Sequence, residues 1–346
     1  MRWVLPGVAG ATFMLCFASF AVVLTLGGGP WATTIDVAIY QALRLEFDIA
    51  RAVTLAGVQL TACLLLSPVF LFLARGSGQV FATDRRPFAR PDTDHPVTRS
   101  VDTAALLLAL GIVAAPLTAV LIAGINGASV AVLQDQVLWR AAGRSASVAL
   151  LAGALSLALG LSLLHGARVL RAQHGRVGLA GAMELLGLLP LITLPLMLAT
   201  GLFMLLRPYV DVLAVGLYLT IAVNALMGLP FVLRIVAPAM RRADRETSRL
   251  CLDLGIRGWD RFRLVDWPLT RGAAGLALAI AATLAAGDMG VIALFGSQDT
   301  ETLPLLLYRR MGAYQMDAAA VTATMLAVLC LGLFWALESV VRGRGR

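Results

Sequence analysis

The sequence predicts an all-α, polytopic membrane bundle of about eight transmembrane helices, and three observations carry that prediction. Hydrophobic residues make up 59% of the 346-residue chain and charged residues 14%, with a mean hydropathy of +0.85, far from the balance of a soluble domain. Apolar runs of about 20 residues or more, enough for a helix to cross a bilayer, recur along the whole chain. They are continuous rather than alternating, which favours helices over the strands of an outer-membrane barrel. Finally, a stretch near the beginning returns near the end.

The runs cover 4–26, 50–74, 102–124, 145–167, 178–206, 212–236, 273–295 and 317–341. The first is longer than the 7–15 apolar residues of a signal peptide and has an internal counterpart at 273–295, so it reads as a span. All 28 basic residues are Arg, and they set the orientation. With the N-terminus cytoplasmic, Arg2 and the segments 75–101, 168–178, 234–272 and 342–346 hold 21 of them, against seven outside. Both termini are therefore expected in the cytoplasm. The net charge of +8 follows from this topology and from attraction to anionic headgroups. The Arg residues fall between spans without interleaved stacking aromatics, which argues against nucleic-acid binding. Cys16, Cys63, Cys251 and Cys330 show neither pairing nor metal-ligand spacing, so no metal site is expected.

The repeat matches LGGGPWATTIDVAIYQALRLEFDIARAV, from Leu26, with LFGSQDTETLPLLLYRRMGAYQMDAAAV, from Leu294. An offset of 268 pairs Tyr40 with Tyr308, Gly28 with Gly296 and Thr34 with Thr302, and one added residue pairs Asp48 with Asp317. Each copy lies between two apolar runs, so a membrane unit repeats, as in transporters whose related halves enclose a pathway. Residues 102–346 read as a complete unit of six helices, and 1–74 as only the last two helices of another, because Met1 corresponds to about position 269. Four helices and a loop are expected upstream, whether the start is placed too late, the gene is split or the chain is a fragment. Residues 75–101, rich in Gly, Pro and Arg, read as a cytoplasmic linker in which His95 is solvated.

The loop 238–272 carries the most specific pattern. Asp244 is expected to cap a helix ending at Gly255, the residue type suited to a left-handed C-terminal cap. A short helix follows from Trp259 to Asp266, and Pro268 opens the next membrane helix. The stretch RLCLDLGIRGWDRFRLVDWP resembles the "EAA" loop of ABC importer permeases, Glu-Ala-Ala, three residues, Gly, nine residues, Ile, any residue, Leu-Pro. Gly255 takes the Gly, Val265 the Ile, Trp267 the Leu and Pro268 the Pro, while Arg249, Leu250 and Cys251 stand where Glu-Ala-Ala would be. The resemblance implies a type I ABC importer permease fold and docking of this loop in a groove of a dimeric cytoplasmic ABC ATPase. A P-loop needs a Lys and the chain has none. ATP is therefore expected on the partner, with no cofactor and no catalytic residue here.

Two further stretches, LTLGGGPWATTIDVAIYQALRLEFD and GDMGVIALFGSQDTETLPLLLYRRMGAYQMDAAA, together with the loop, are similar to thiamine ABC transporter permeases, fusions of two permease halves. Ferric iron permeases share that architecture. The resemblance implies import of thiamine or its phosphates across a bacterial inner membrane, delivered by a periplasmic thiamine-binding protein. The alternatives are a permease for iron or another small solute, or an inactive truncated permease.

Polar residues within spans are costly and face a cavity or a partner. Asp288, Asn224 and Glu184 are therefore candidates for the translocation path, with Tyr218 offering an aromatic face to a cationic ring. A plainer role for Asp288 is to pair with an Arg or cap a neighbouring helix. Its repeat partner is Phe20. Pro190 and Pro195 are expected to kink or break the fifth span. Tyr40 and Tyr308, on the matched outer segments, are candidate docking residues for the periplasmic protein. A secondary transporter would carry more buried charge near the midplane, and a membrane enzyme would cluster its His, Asp and Glu, whereas His95, His165 and His174 are scattered.

Overall fold

The computed structural model describes residues 20–27, 33–73, 96–126, 132–191, 193–212, 214–256, 258–296 and 300–343. Their regular structure is helical: α1 (Phe20–Leu26), α2 (Ile35–Arg44), α3 (Ile49–Leu73), α4 (Pro96–Ile125), α5 (Gln136–His174), α6 (Val177–Leu188), α7 (Pro195–Leu206), α8 (Gly216–Asp253), α9 (Gly258–Arg261), α10 (Trp267–Gly287), α11 (Gly290–Phe295), α12 (Leu303–Gly312) and α13 (Met316–Gly343). Five stretches among these are long and apolar enough to cross a membrane, or six when the bent pair α6 and α7 counts as one span. The chain is a multi-pass membrane protein. The first expected span, up to residue 19, and most of the linker, His95 included, lie outside the described residues.

The centre of the bundle is the trio α5, α8 and α10, each in contact with the other two. Small residues bring these helices together, as is usual where lipid leaves no hydrophobic force to drive association. A Cβ on Gly153 of α5 would stand 3.1 Å from the backbone nitrogen of Ala282 on α10, and one on Gly228 of α8 would stand 2.8 Å from Ser156 Oγ. Buried Ala277, Ala281, Ala282 and Ala285 line the facing side of α10. Helix α13 packs on α10 from outside, and α4 packs on α13.

Helix α5 begins at an Asp135 cap, whose Oδ1 accepts from the Val137 N–H at 2.9 Å, and ends at Gly175 with φ of 62°. The other oxygen of Asp135 meets buried Arg310 of α12 at 2.8 Å, and Arg310 also donates to Thr322 Oγ1 of α13 at 2.6 Å. One guanidinium thus joins three elements at the α5 N-terminal end of the bundle.

The matched segments fold alike. Helices α2 and α12 are both ten residues long, stand at the 268 offset, and follow Thr34 and Thr302, which are both extended, buried at the hydroxyl and without a side-chain cap bond. The turns beyond them differ from the alignment. Phe47 and Tyr314 adopt left-handed φ of 55° and 59° just before the next long helix. Asp48, which accepts from the Arg51 N–H, therefore matches Gln315 and not Asp317. Backbone turns define the equivalence, and the second turn closes one residue sooner.

Two spans are not continuous. The fifth breaks through 100° between α6 and α7, beside Pro190 and Pro195, as two missing backbone donors in one stretch dictate. The span expected at 273–295 ends at Gly287, and α11 starts afresh after the extended Asp288. Hydropathy averages across a two-residue break of this kind because both flanks are apolar.

Candidate functional site

The elbow between α8 and α10 is built from local turn chemistry. Helix α8 ends in a reverse turn in which the Gly255 N–H donates to Leu252 O at 3.2 Å and the Ile256 N–H to Cys251 O at 2.9 Å. Gly255 has φ of 69° and Gly258 φ of 60°, with nothing near the place a Cβ would occupy, so glycine serves here for backbone conformation alone. Substituting Gly255 by Ala should cost about 1 kcal/mol of local stability, read as faster amide exchange confined to 250–260. Pro268 lies in the first turn of α10, as expected. Between them, α9 and a π-turn over Phe262–Asp266 carry Trp259 stacked on Phe262 at 5.2 Å.

The expected cap at Asp244 is not formed. Helix α8 runs unbroken from Gly216 to Asp253 because Val236, Met240 and Ala243 continue its buried face past Pro238. Asp244 instead turns inward as part of a four-charge cluster. Arg168 of α5 reaches Asp266 Oδ2 at 2.6 Å and Asp244 Oδ1 at 2.9 Å, and Arg261 reaches Asp244 at 2.8 Å and Asp266 at 3.7 Å. Asp266 is only 2% exposed. Two guanidiniums and two carboxylates balance, so each buried charge has opposite charges beside it. The cluster ties both arms of the elbow to α5. Nothing local in the sequence pairs Arg168 with a residue 98 positions away.

Next to this cluster Glu184 of α6 bridges Arg171 at 3.0 Å and Arg241 at 3.7 Å, and a cavity of about 30 Å³ separates the two groups. Glu184 is thus at the elbow end of the bundle, engaged with two arginines. Of the three residues at the Glu-Ala-Ala positions, Arg249 and Leu250 point outward and Cys251 is buried. Val265 is half-buried, and Trp267 and Pro268 are exposed. Leu250, Leu252, Leu254, Trp259 and Leu264 give the elbow an exposed apolar surface.

The other end of α10 lies about 30 Å away, the rise of 21 helical residues. There Asp288 accepts from the N–H groups of Gly290 and Val291 at 3.3 and 3.2 Å. Asn224 stands beside this carboxylate, with its amide nitrogen buried and lacking a well-formed bond. A narrow cleft holds Asp288 with Ser145, Thr220 and Thr302. Tyr218 is 72% exposed on another face of α8 and does not border this cleft. Asp288 and Asn224 therefore come together, whereas Tyr218 and Glu184 lie elsewhere.

The N-terminal segment meets the rest of the chain around α11. Phe20, Ile39 and Leu43 share a buried core with Leu196, Val223 and Phe295. The Phe20 ring packs edge-on against Tyr40 with centroids 5.6 Å apart. Burial holds the Tyr40 phenol above its usual pKa, with nearby Tyr308 adding to the rise and Arg44 opposing it. Arg44 of α2 donates to Gly296 O, just beyond α11, at 2.7 Å, a contact between the copies that no sequence pattern announced.

No protein-family model matches the chain. It is similar to the thiamine transport system permease protein ThiP of Escherichia coli (strain K12), 41% identical over 344 residues that make up 98% of this chain and 63% of that protein. ThiP of Brucella abortus (strain 2308) is 38% identical over 99% of this chain and 62% of its own length, and ThiP of Haemophilus influenzae is 36% identical over 93% and 59%. The chain spans about three-fifths of the length of these relatives. The permease resemblance carried by the elbow and the repeat is borne out.

Proposed function

We propose that this chain, a relative of the thiamine transport system permeases over nearly its whole length, is the membrane-spanning part of an ATP-driven importer for thiamine or its phosphates. The observation that carries the reading is the elbow closed on α5 by Arg168, Asp244, Arg261 and Asp266. A loop held at both arms by buried ion pairs transmits a push to α5 and α10, whereas a slack loop absorbs it. In this reading 238–272 docks on a dimeric cytoplasmic ATPase, which binds and hydrolyses the ATP. Leu250, with Arg249 beside it, meets the groove of that partner, while Cys251, Gly255, Val265, Trp267 and Pro268 shape the elbow.

Residues 1–74 and 102–346 act as parts of two related halves joined by 75–101, with both termini cytoplasmic in a bacterial inner membrane. The route runs between the halves, past Asp288 and Asn224, with Tyr218 and Glu184 towards its margins. A periplasmic binding protein delivers the cargo near Tyr40 and Tyr308. The test is ATP-dependent thiamine uptake into proteoliposomes holding the chain co-purified with its ATPase and binding protein, beside a version extended upstream of Met1. Uptake is expected in at least the extended version. A stable complex that takes up no thiamine, but carries iron or another solute, overturns the cargo.

A further inference from the structure

Helix α11 is six residues long and every one of them is buried, yet a helix this short has too few internal bonds to hold itself. Charged side chains hold it from both ends. At its start the Asp288 carboxylate accepts from the Gly290 and Val291 N–H groups, and at its finish the Arg44 guanidinium donates to Gly296 O at 2.7 Å. Acid at the N-terminus and base at the C-terminus both complement the helix dipole. The two ends differ in origin. Asp288 belongs to the same copy as α11 and directly follows α10, the helix that leaves the elbow, whereas Arg44 comes from the other copy.

The fit around α11 is close. A Cβ on Gly216 would stand 2.5 Å from Phe295 O, and one on Gly296 would stand 2.6 Å from Leu305 Cδ2. Phe20 and Asp288, paired by the repeat, both lie 3.7 Å from where a Cβ on Gly290 would sit. The segment therefore fills the junction between the copies at the end of the bundle away from the elbow.

Building on the permease reading, we propose that α11 is the outer gate between the two halves, that Asp288 is the positioning residue on which it pivots, and that Arg44 is the latch that holds it shut. Motion of the elbow travels along α10 to the break at Asp288, and opening separates Arg44 from Gly296. Asp288 then acts by organising two backbone N–H groups and not by offering its charge to the cargo. Asn caps a helix as well as Asp does, and Ala does not. The two substitutions accordingly separate the roles.

The test measures amide exchange of 290–296 and thiamine uptake in the assembled complex for Asp288→Asn, Asp288→Ala and Arg44→Ala. Exchange should rise about fivefold to tenfold in Asp288→Ala and in Arg44→Ala, the factor that follows loss of one cap, and stay at the wild-type level in Asp288→Asn. Uptake should fall in Asp288→Ala and in Arg44→Ala along with the loss of protection. The proposal is overturned if exchange is unchanged in both Ala variants, or if Asp288→Asn raises exchange as much as Asp288→Ala does. The exchange arm needs no cargo, so an extended wild-type complex that carries no solute at all overturns the permease reading while leaving the gate decided by exchange.

Discussion

In the proposed importer, replacing Asp266 by Ala should uncouple ATP hydrolysis from transport. Asp266 is the most deeply buried member of the elbow cluster, and its loss leaves the Arg168 and Arg261 guanidiniums, 14% and 19% exposed at the side chain, sharing Asp244 alone. An uncompensated buried charge costs 3–5 kcal/mol, and the remaining anion and partial access to water place this case near the lower end, about 3 kcal/mol. Arg168 then no longer holds the second arm of the elbow to α5. ATPase activity in the assembled complex should persist while thiamine taken up per ATP falls at least about tenfold, the change that a loss of 1.4 kcal/mol or more in coupling produces. Pairing Asp266→Asn with Arg168→Gln should recover part of the loss, because removing both charges leaves neither one stranded. An unchanged uptake-to-ATP ratio in the single variants would remove the cluster from the mechanism.

The second large effect is expected at Gly153. Its Cβ position lies 3.0–3.2 Å from Cβ, N and Cα of Ala282, and most of that wall is backbone of α10, which cannot rotate out of the way. Gly153→Val adds three carbons between two central helices and should destabilise the bundle by about 3 kcal/mol, at the upper end of overpacking. Thermal unfolding in detergent should show it as a lowered midpoint. Gly143 on the same helix has nothing near its Cβ position, so Gly143→Val should shift the midpoint far less. Equal shifts would mean that helix propensity, not the close approach of α5 to α10, sets the cost.

The elbow turn and the repeat were legible because their signals are local. Gly255 marks the left-handed end of α8, and Pro268 the first turn of α10, where its missing N–H costs nothing. The Tyr40 and Tyr308 segments fold into helices of equal length at the same offset. Asp244 misled for an instructive reason. An Asp before a run of helix formers suits a cap, but the buried stripe of α8 continues through it, and burial along a face overrides a local preference.

By itself the sequence determined that the chain is a helical membrane bundle, where the elbow turns and that a segment recurs, since apolar length and turn residues act over a few neighbouring positions. Only the tertiary structure decided that α10 stops at Gly287, that Asp288 caps α11, that Arg44 reaches Gly296, and that Arg168 closes the elbow. Those choices depend on which helices become neighbours. A buried charge or a six-residue helix is stable only when a partner from a distant part of the chain meets it, and no local pattern names that partner.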